Sequence, residues 1–244
     1  MISVVIPTCD RPVLLPHALA SLEAQTQPPD EVVVVDNGTT RSYPRLDANL
    51  TLQHIRTDPY CGASRARNIG VEHATQPWIA FLDDDDRWSP DYLADLRASI
   101  AAEPDAVMHI GRLCYVSRTG SRFARLPDPA DGLRTTLYRN PGVVGSNMAV
   151  RRDFFRRVGG FDCSLPASED RAMLWEVVRQ GGRIAVSAER IAYVHAHRGP
   201  RLTDLRTLLR GKWRFFSKYR TELTPGEKIK TGVAMVHCTW RALV

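Results

Sequence analysis

The chain has 244 residues, 43% of them hydrophobic and 25% charged, which suits one large α/β domain or a domain with an appendage. Its net charge of +6 is uneven: residues 201–244 hold ten Lys/Arg against three Asp/Glu, and the first 200 residues hold 23 against 24. A near-neutral body excludes a general nucleic-acid-binding surface, no apolar run approaches the roughly 18 residues of a membrane span, and five scattered cysteines without a C-x-x-C pair exclude a disulfide framework or zinc site and fit a reducing cytoplasm.

In chain order, residues 2–6 read as a short apolar strand stopped by Pro7-Thr8, without the basic start or cleavage site of a signal peptide. Leu15, Leu19 and Leu22 give residues 12–24 helical spacing. Residues 31–36 form a β-branched strand of the doubly buried kind, closed by Asn37-Gly38. A third strand is predicted over 50–56 and a helix over 64–74 with Ser64 as N-cap. The apolar run 77–82 reads as a fourth strand, followed by four carboxylates, and Ser89-Pro90 caps a helix reaching about residue 102. Alternation of this kind implies a mostly parallel open sheet with helices on both faces. Three strand ends, carrying Pro7-Thr8, Asp36 and Asp83 to Asp86, then share one crevice at the carboxyl edge.

The middle of the chain is less regular. Residues 106–116 read as a strand, 121–142 as a loop or lid over the site, 145–150 as a strand and 152–158 as a short helix. A helix over 167–180 presents Met173, Leu174, Val177 and Val178 and stops at Gly181-Gly182. Short strands are expected over 184–186 and 191–194. In the tail, Leu202, Leu205, Leu208, Leu209, Trp213 and Phe216 form one helical stripe beside Arg206, Arg210, Lys212 and Arg214, and a second helix follows Pro225-Gly226. Packing of both helices on the body ranks first; docking on an anionic membrane is the sharper alternative.

Asp83-Asp84-Asp85-Asp86 is the most informative motif. Adjacent anions repel, so fixing them at a strand end favours a divalent cation, for which oxygen ligands suit Mg²⁺ or Mn²⁺; a solvated acidic loop is the plain alternative. Asp36 suits a ribose hydroxyl or base N–H, or simply an Asx turn. The helix start around Arg65 and Arg67 suits an anion. Glu169-Asp170 at a helix start fits capping or a base aimed into a cleft, and His195 and His197 project to one side of a strand. No G-x-G-x-x-G or G-x-x-x-x-G-K-[ST] pattern occurs, which excludes a Rossmann dinucleotide site and a P-loop.

Together, residues 4–11, 33–39, 62–70, 81–86, Gly159-Gly160-Phe161-Asp162 and Glu169-Asp170 resemble the family 2 inverting glycosyltransferases, whose catalytic domain has the GT-A fold, over about residues 2–200. The resemblance implies a GT-A catalytic domain over 1–200, with a nucleotide-binding half (1–100) and an acceptor-binding half (101–200), and a basic helical tail over 201–244. It implies that Pro7, Thr8, Arg11, Asp36 and Arg67 line the nucleotide pocket and that Asp83-Asp84-Asp85 is the DXD motif. Asp83 and Asp84 would then face the nucleotide-sugar, with Asp85 and His195 or His197 on a Mn²⁺ or Mg²⁺ ion. Asp170 would be the catalytic base, with Glu169 supporting it or touching the acceptor. The expected donor is a nucleotide-sugar, UDP-linked by default, and the acceptor a hydroxyl-bearing glycan or lipid-linked glycan. Where many members read Asp-Asp-Gly-Ser, this chain has Asp36-Asn37-Gly38-Thr39. It also lacks a Gln-x-x-Arg-Trp after Asp170, so it does not resemble a processive synthase. Two rival classes remain. A sugar-phosphate nucleotidyltransferase would need a Gly- and Lys-rich first loop, and a non-catalytic binding module would have no use for Asp83, Asp85 and Asp170 together.

Overall fold

The computed structural model describes residues 1–39, 50–129, 133–195 and 205–240. The first half runs β1 (Ile2–Thr8), α1 (Leu15–Glu23), β2 (Glu31–Asp36), β3 (Leu52–Arg56), α2 (Ala63–His73), β4 (Trp78–Phe81), β5 (Asp86–Trp88) and α3 (Tyr92–Ala102). The second half runs β6 (Ala106–Ser117), β7 (Gly120–Phe123), β8 (Met148–Arg151), α4 (Arg152–Arg157), α5 (Glu169–Arg179) and β9 (Arg183–His195), with 3-10 turns at Arg134–Leu137 and Gly145–Asn147. Two helices, α6 (Leu205–Tyr219) and α7 (Pro225–Trp240), follow. One nine-stranded sheet carries the order β3-β2-β1-β4-β8-β6-β9-β5, with β7 on β6.

Strands β3, β2, β1 and β4 are parallel, so their carboxyl ends fall on one edge. Alternation sorts their side chains. Val5, Val33 and Val35 meet α2, α4 and α5 through Ala66, Phe154, Phe155, Phe161 and Leu174. Val4, Ile6, Val32 and Val34 meet α1 and α3 through Leu15, Leu19, Leu22, Leu93 and Leu96. β1, β2 and β4 are therefore buried on both faces, which is why they are largely apolar rather than alternating.

Several expectations change. β1 runs on to Thr8 because the missing N–H of Pro7 falls on the side of β4, whose pairing with β1 ends at Val5↔Phe81, while pairing with β2 continues to Thr8↔Asp36. Neither Ser64 nor Ser89 is an N-cap: α2 starts after Gly62 and α3 after Asp91. Residues 145–150 split into a 3-10 turn and β8. The predicted pair of short strands is one long strand, β9, with Ser187 to Arg190 bulging opposite Gly111 between the pairs Ile110↔Val186 and Arg112↔Ile191. Arg190 in that bulge is fully buried, bonded to Asp95 at 2.9 Å and to the Ile110 carbonyl at 3.3 Å. A Cβ on Gly111 would lie 2.6 Å from the Arg190 carbonyl oxygen, so the bulge needs glycine there.

The segment read as a lid is anchored where it is described. It contains β7 and a turn whose Leu133, Thr135, Thr136 and Leu137 are buried, and Arg134 is paired with Glu227 of α7 at 2.8 Å. The tail helices pack on the body, but along a different line from the predicted stripe. Phe215, Tyr219 and Leu223 are buried against Leu137, Leu165, Ala172 and Trp175, whereas Trp213 is 61% exposed. Gly211 explains the rotation: it approaches Ala167 so closely that a Cβ would sit 2.6 Å from the Ala167 carbonyl oxygen. The contact line therefore follows 211, 215 and 219, spaced four residues apart. Among the described residues no helix is long and apolar enough to cross a membrane.

Candidate active site

The acidic cluster forms because the chain turns sharply at the end of β4. The Asp86 N–H donates to the Asp83 carbonyl at 3.1 Å, leaving Asp84 and Asp85 at the tip and starting β5 at Asp86. Carboxylate oxygens of Asp83, Asp85 and Asp86 lie within 4.8 Å of one another. Asp84 points elsewhere: it is buried, accepting from Thr8 Oγ1 at 2.7 Å and Arg11 Nη1 at 2.8 Å. The same Arg11 nitrogen reaches Asp85 Oδ2 at 3.0 Å. One guanidinium thus holds the loop after β1 against the acidic turn.

Burial and mutual repulsion leave their mark on these acids. Burial pushes the Asp84 carboxyl up to about 6, although Arg11 opposes the shift. Burial, then the charges of Asp83 and Asp85, hold Asp86 well above the usual carboxylate range. A cluster this short of positive charge suits a hard dication with oxygen ligands. The His195 backbone N–H on β9 donates to the Asp86 carboxylate, but its imidazole is not among the ligand atoms gathered at the cluster, contrary to the expectation for this residue; burial, then the neighbouring Arg87, lowers its imidazole pKa. His197 lies outside the described residues.

Ser146, which no sequence signal singled out, ties the turn to the second half of the sheet. Its hydroxyl accepts from the Asp83 N–H at 3.0 Å and donates to Asp86 Oδ2 at 2.5 Å, and its carbonyl accepts from Trp88 Nε1 at 2.7 Å. Arg67 provides the other bridge. It is buried, and donates to Asp83 Oδ1 at 2.5 Å and to Glu169 Oε1 at 3.0 Å. The backbone of Gly145 gives it room, since a Cβ there would fall 2.8 Å from Arg67 Nη2.

Asp170 follows Glu169 at the start of α5 and accepts from the Arg171 N–H at 2.7 Å. Burial, then the adjacent Glu169 charge, raises its carboxyl to about 7. Arg171 is buried behind it and donates to the Thr136 carbonyl at 2.6 Å. Asp170, Glu169, Arg67 and Asp83 all line a cavity of about 680 Å³, within the size range of small-molecule sites.

Asp36 is set apart from this network. It ends β2 fully buried, accepting from the Gly38 N–H at 2.9 Å and lying 3.4 Å from Arg56. Pro7 is a buried strand residue beside it, in register with Val35. The structure therefore brings together two hydrogen-bonded sets that meet at the acidic turn, Thr8, Arg11, Asp84 and Asp85 on one side and Asp83, Arg67 and Glu169 on the other, with Asp170 adjoining the second, while Pro7 and Asp36 sit on the neighbouring strand ends.

The sequence profile of glycosyl transferase family 2 matches residues 3–159, the stretch that carries β1 through the acidic turn and beyond. The chain belongs to glycosyl transferase family 2. It is 31% identical over 198 residues to the succinoglycan biosynthesis protein ExoO of Rhizobium meliloti, covering 75% of this chain and 57% of that one. It is similar in fold to S. aureus TarS 1-349 in complex with UDP-GlcNAc, with a TM-score of 0.71 at 20% identity, over 94% of this chain and 69% of that chain. The mannosyltransferase PcManGT from Pyrobaculum calidifontis, solved with GDP-Man and Mn²⁺, aligns with a TM-score of 0.66 at 20% identity, over 98% of this chain and 68% of that chain. The first curated relatives are spanned over only 53% to 63% of their own length. This family 2 chain thus has a GT-A-type fold.

Proposed function

We propose that this glycosyltransferase moves a sugar from a nucleoside diphosphate donor, UDP-linked by default, to an acceptor hydroxyl, inverting the anomeric centre. The observation that carries the reading is the continuous chain of contacts from the acidic turn through Arg67 to Glu169 and the adjoining Asp170. In this reading residues 1–100 hold the donor, residues 101–200 hold the acceptor, and the tail braces the acceptor side. Pro7, Thr8, Arg11 and Asp36 bound the donor's nucleoside, and Asp84 acts through its bonds to Thr8 and Arg11. Asp85, with Asp83, Asp86 and His197, would hold Mn²⁺ or Mg²⁺, which when bound supplies Lewis-acid neutralisation of the departing diphosphate.

The protein's own groups do the rest. Arg67 fixes Asp83 and Glu169 so that donor sugar and acceptor meet at a defined separation. Asp170 Oδ accepts the proton of the acceptor hydroxyl as that oxygen attacks the anomeric carbon from the face opposite the leaving group. A base raised to about 7 is matched to this task near neutral pH. ExoO is named for succinoglycan biosynthesis, which supports a glycan or lipid-linked glycan acceptor here. Exposed Trp213, Ile229 and Val233 among the tail's basic residues support peripheral contact with the cytoplasmic face of a membrane. The test is a panel of UDP-, GDP- and dTDP-sugars with Mn²⁺, reading nucleoside diphosphate release and product anomeric configuration by NMR. Release with inversion is expected. A retained configuration, or full turnover kept in Asp170→Asn, overturns the assignment.

A further inference from the structure

Asp170 follows a backbone that its own sequence does not favour. Ser168, the residue before α5, is left-handed at φ 70°, and its hydroxyl makes no capping bond to the helix. A serine stays in that region only where its surroundings impose it. Helix α6, which lies past the stretch matched by the family profile, supplies those surroundings. At the rim, Lys218 Nζ donates to Asp162 Oδ2 at 2.8 Å and Arg214 Nη1 donates to the Ser164 carbonyl at 2.5 Å. Further in, Gly211 abuts Ala167, and the Phe215 ring centre lies 4.2 Å from the Arg171 guanidinium carbon. One helix thus grips the chain at 162, 164, 167 and 171, before and after Asp170.

Arg171 is the inner end of this line. It is buried, and donates from Nε at 3.1 Å and from Nη2 at 2.6 Å to the Thr136 carbonyl. Its backbone N–H donates to Asp170 Oδ1 at 2.7 Å. Burial lowers its pKa to about 10, so the cation is kept where charge is disfavoured. An apolar side chain would fill the space without that penalty, and packing alone therefore does not account for an arginine. A planar fork held between a carbonyl and a ring fixes direction as well as depth. The Thr136 turn is itself tied to the tail, through Arg134 and Glu227 at 2.8 Å.

We propose that α6 is a splint for the segment bearing Asp170, with Arg171 and Phe215 as positioning residues that hold this carboxylate at its working place. The proposal rests on the glycosyl-transfer reading for Asp170's role as base, but the splint stands on the contacts of α6. A base displaced by about 1 Å forfeits on the order of 10²-fold in rate while donor binding is untouched.

The test pairs hydrogen–deuterium exchange of the full chain with steady-state kinetics. Phe215→Leu keeps apolar bulk without the ring, and Arg171→Lys keeps the charge without the fork. Both should speed amide exchange across residues 162–172 by about ten-fold or more, with the peptide around Asp83 unchanged. With the nucleotide-sugar that the parent turns over in the panel above, both should lower kcat by about ten-fold or more, the donor KM staying within about two-fold. Phe215→Tyr, which restores a ring, should recover protection and rate, and Trp213→Ala, on the exposed side of the same helix, should match the parent. Should Phe215→Leu fail to fold, Arg171→Lys decides alone. The proposal is overturned if the folded variants exchange like the parent, if they exchange faster with kcat unchanged, or if exchange rises evenly along the chain while kcat and KM move together. Full turnover in Asp170→Asn, or no turnover of any panel sugar by the parent, counts against the transfer reading alone, because the exchange comparison still decides the splint.

Discussion

Replacing Asp170 with asparagine should remove activity and, at alkaline pH, make the protein more stable. The Asp170 carboxyl is raised from 3.8 to about 7, chiefly by burial and then by Glu169. A group that binds its proton more tightly in the folded state contributes stability that is complete below its unfolded pKa and is lost as pH climbs through its folded pKa. The shift of about 3 units corresponds to a ceiling of about 4 kcal/mol. Asp170 borders a cavity open to water, so screening reduces this to about 2 kcal/mol. Asparagine mimics the protonated carboxyl in shape and keeps an oxygen to accept the Arg171 N–H. Asp170→Asn should therefore match the parent near pH 4 and exceed it by about 2 kcal/mol at pH 8, roughly 4–8 °C in melting temperature for a chain of this size. Turnover should fall by about 10²–10⁴-fold with nucleotide affinity retained. Differential scanning fluorimetry across pH 4 to 8, alongside a nucleoside diphosphate release assay, reads both effects. A stability difference that does not change with pH, or a variant less stable at pH 8, refutes the electrostatic reasoning; unchanged turnover refutes the base.

For the parent enzyme, kcat/KM should rise with pH and level off above about 7, since only ionised Asp170 accepts a proton; a profile flat from pH 5 to 8 would contradict this. Asp85→Ala should abolish the Mn²⁺-dependent part of UDP binding in calorimetry while metal-free binding persists, and undiminished metal dependence would move the ion elsewhere. Ser146→Ala leaves the Asp83 N–H and Asp86 without a shared partner, so urea unfolding should show a loss of about 1–3 kcal/mol. Arg67→Met leaves Asp83 and Glu169 facing each other unpaired and should cost about 3–5 kcal/mol by the same method; a loss under 1 kcal/mol would mean that water replaces the guanidinium.

What the sequence conveyed and what it hid follow from the range of the interactions. The Val-rich run 32–35 and the apolar run before Asp83 are legible because a doubly covered parallel strand must be apolar at every position. Their common direction then puts Asp36 and the acidic turn on one edge. β9 was hidden because Ser187 to Arg190 reads as a polar turn, and only the buried pair Arg190–Asp95, 95 residues apart, makes it part of a strand. β5 has three residues and no periodicity to detect. The tail's contact line was misread because helical spacing weighs apolar side chains, whereas the close approach at Gly211 depends on having no side chain. Within the site, the acids announced themselves by being adjacent. Ser146 carries an ordinary local signal, and it joins Asp83 only through tertiary folding.

Gly211 has a practical corollary. The helix bearing Leu208 and Lys212 is seated by backbone touching backbone at this one point, so a single methyl introduced there acts as a wedge. It would tilt that wall outward by a fraction of an ångström without altering any group that faces the substrate. Graded substitutions at position 211 thus offer a dial for the bore of the cavity that Leu208, Lys212 and Asp170 line.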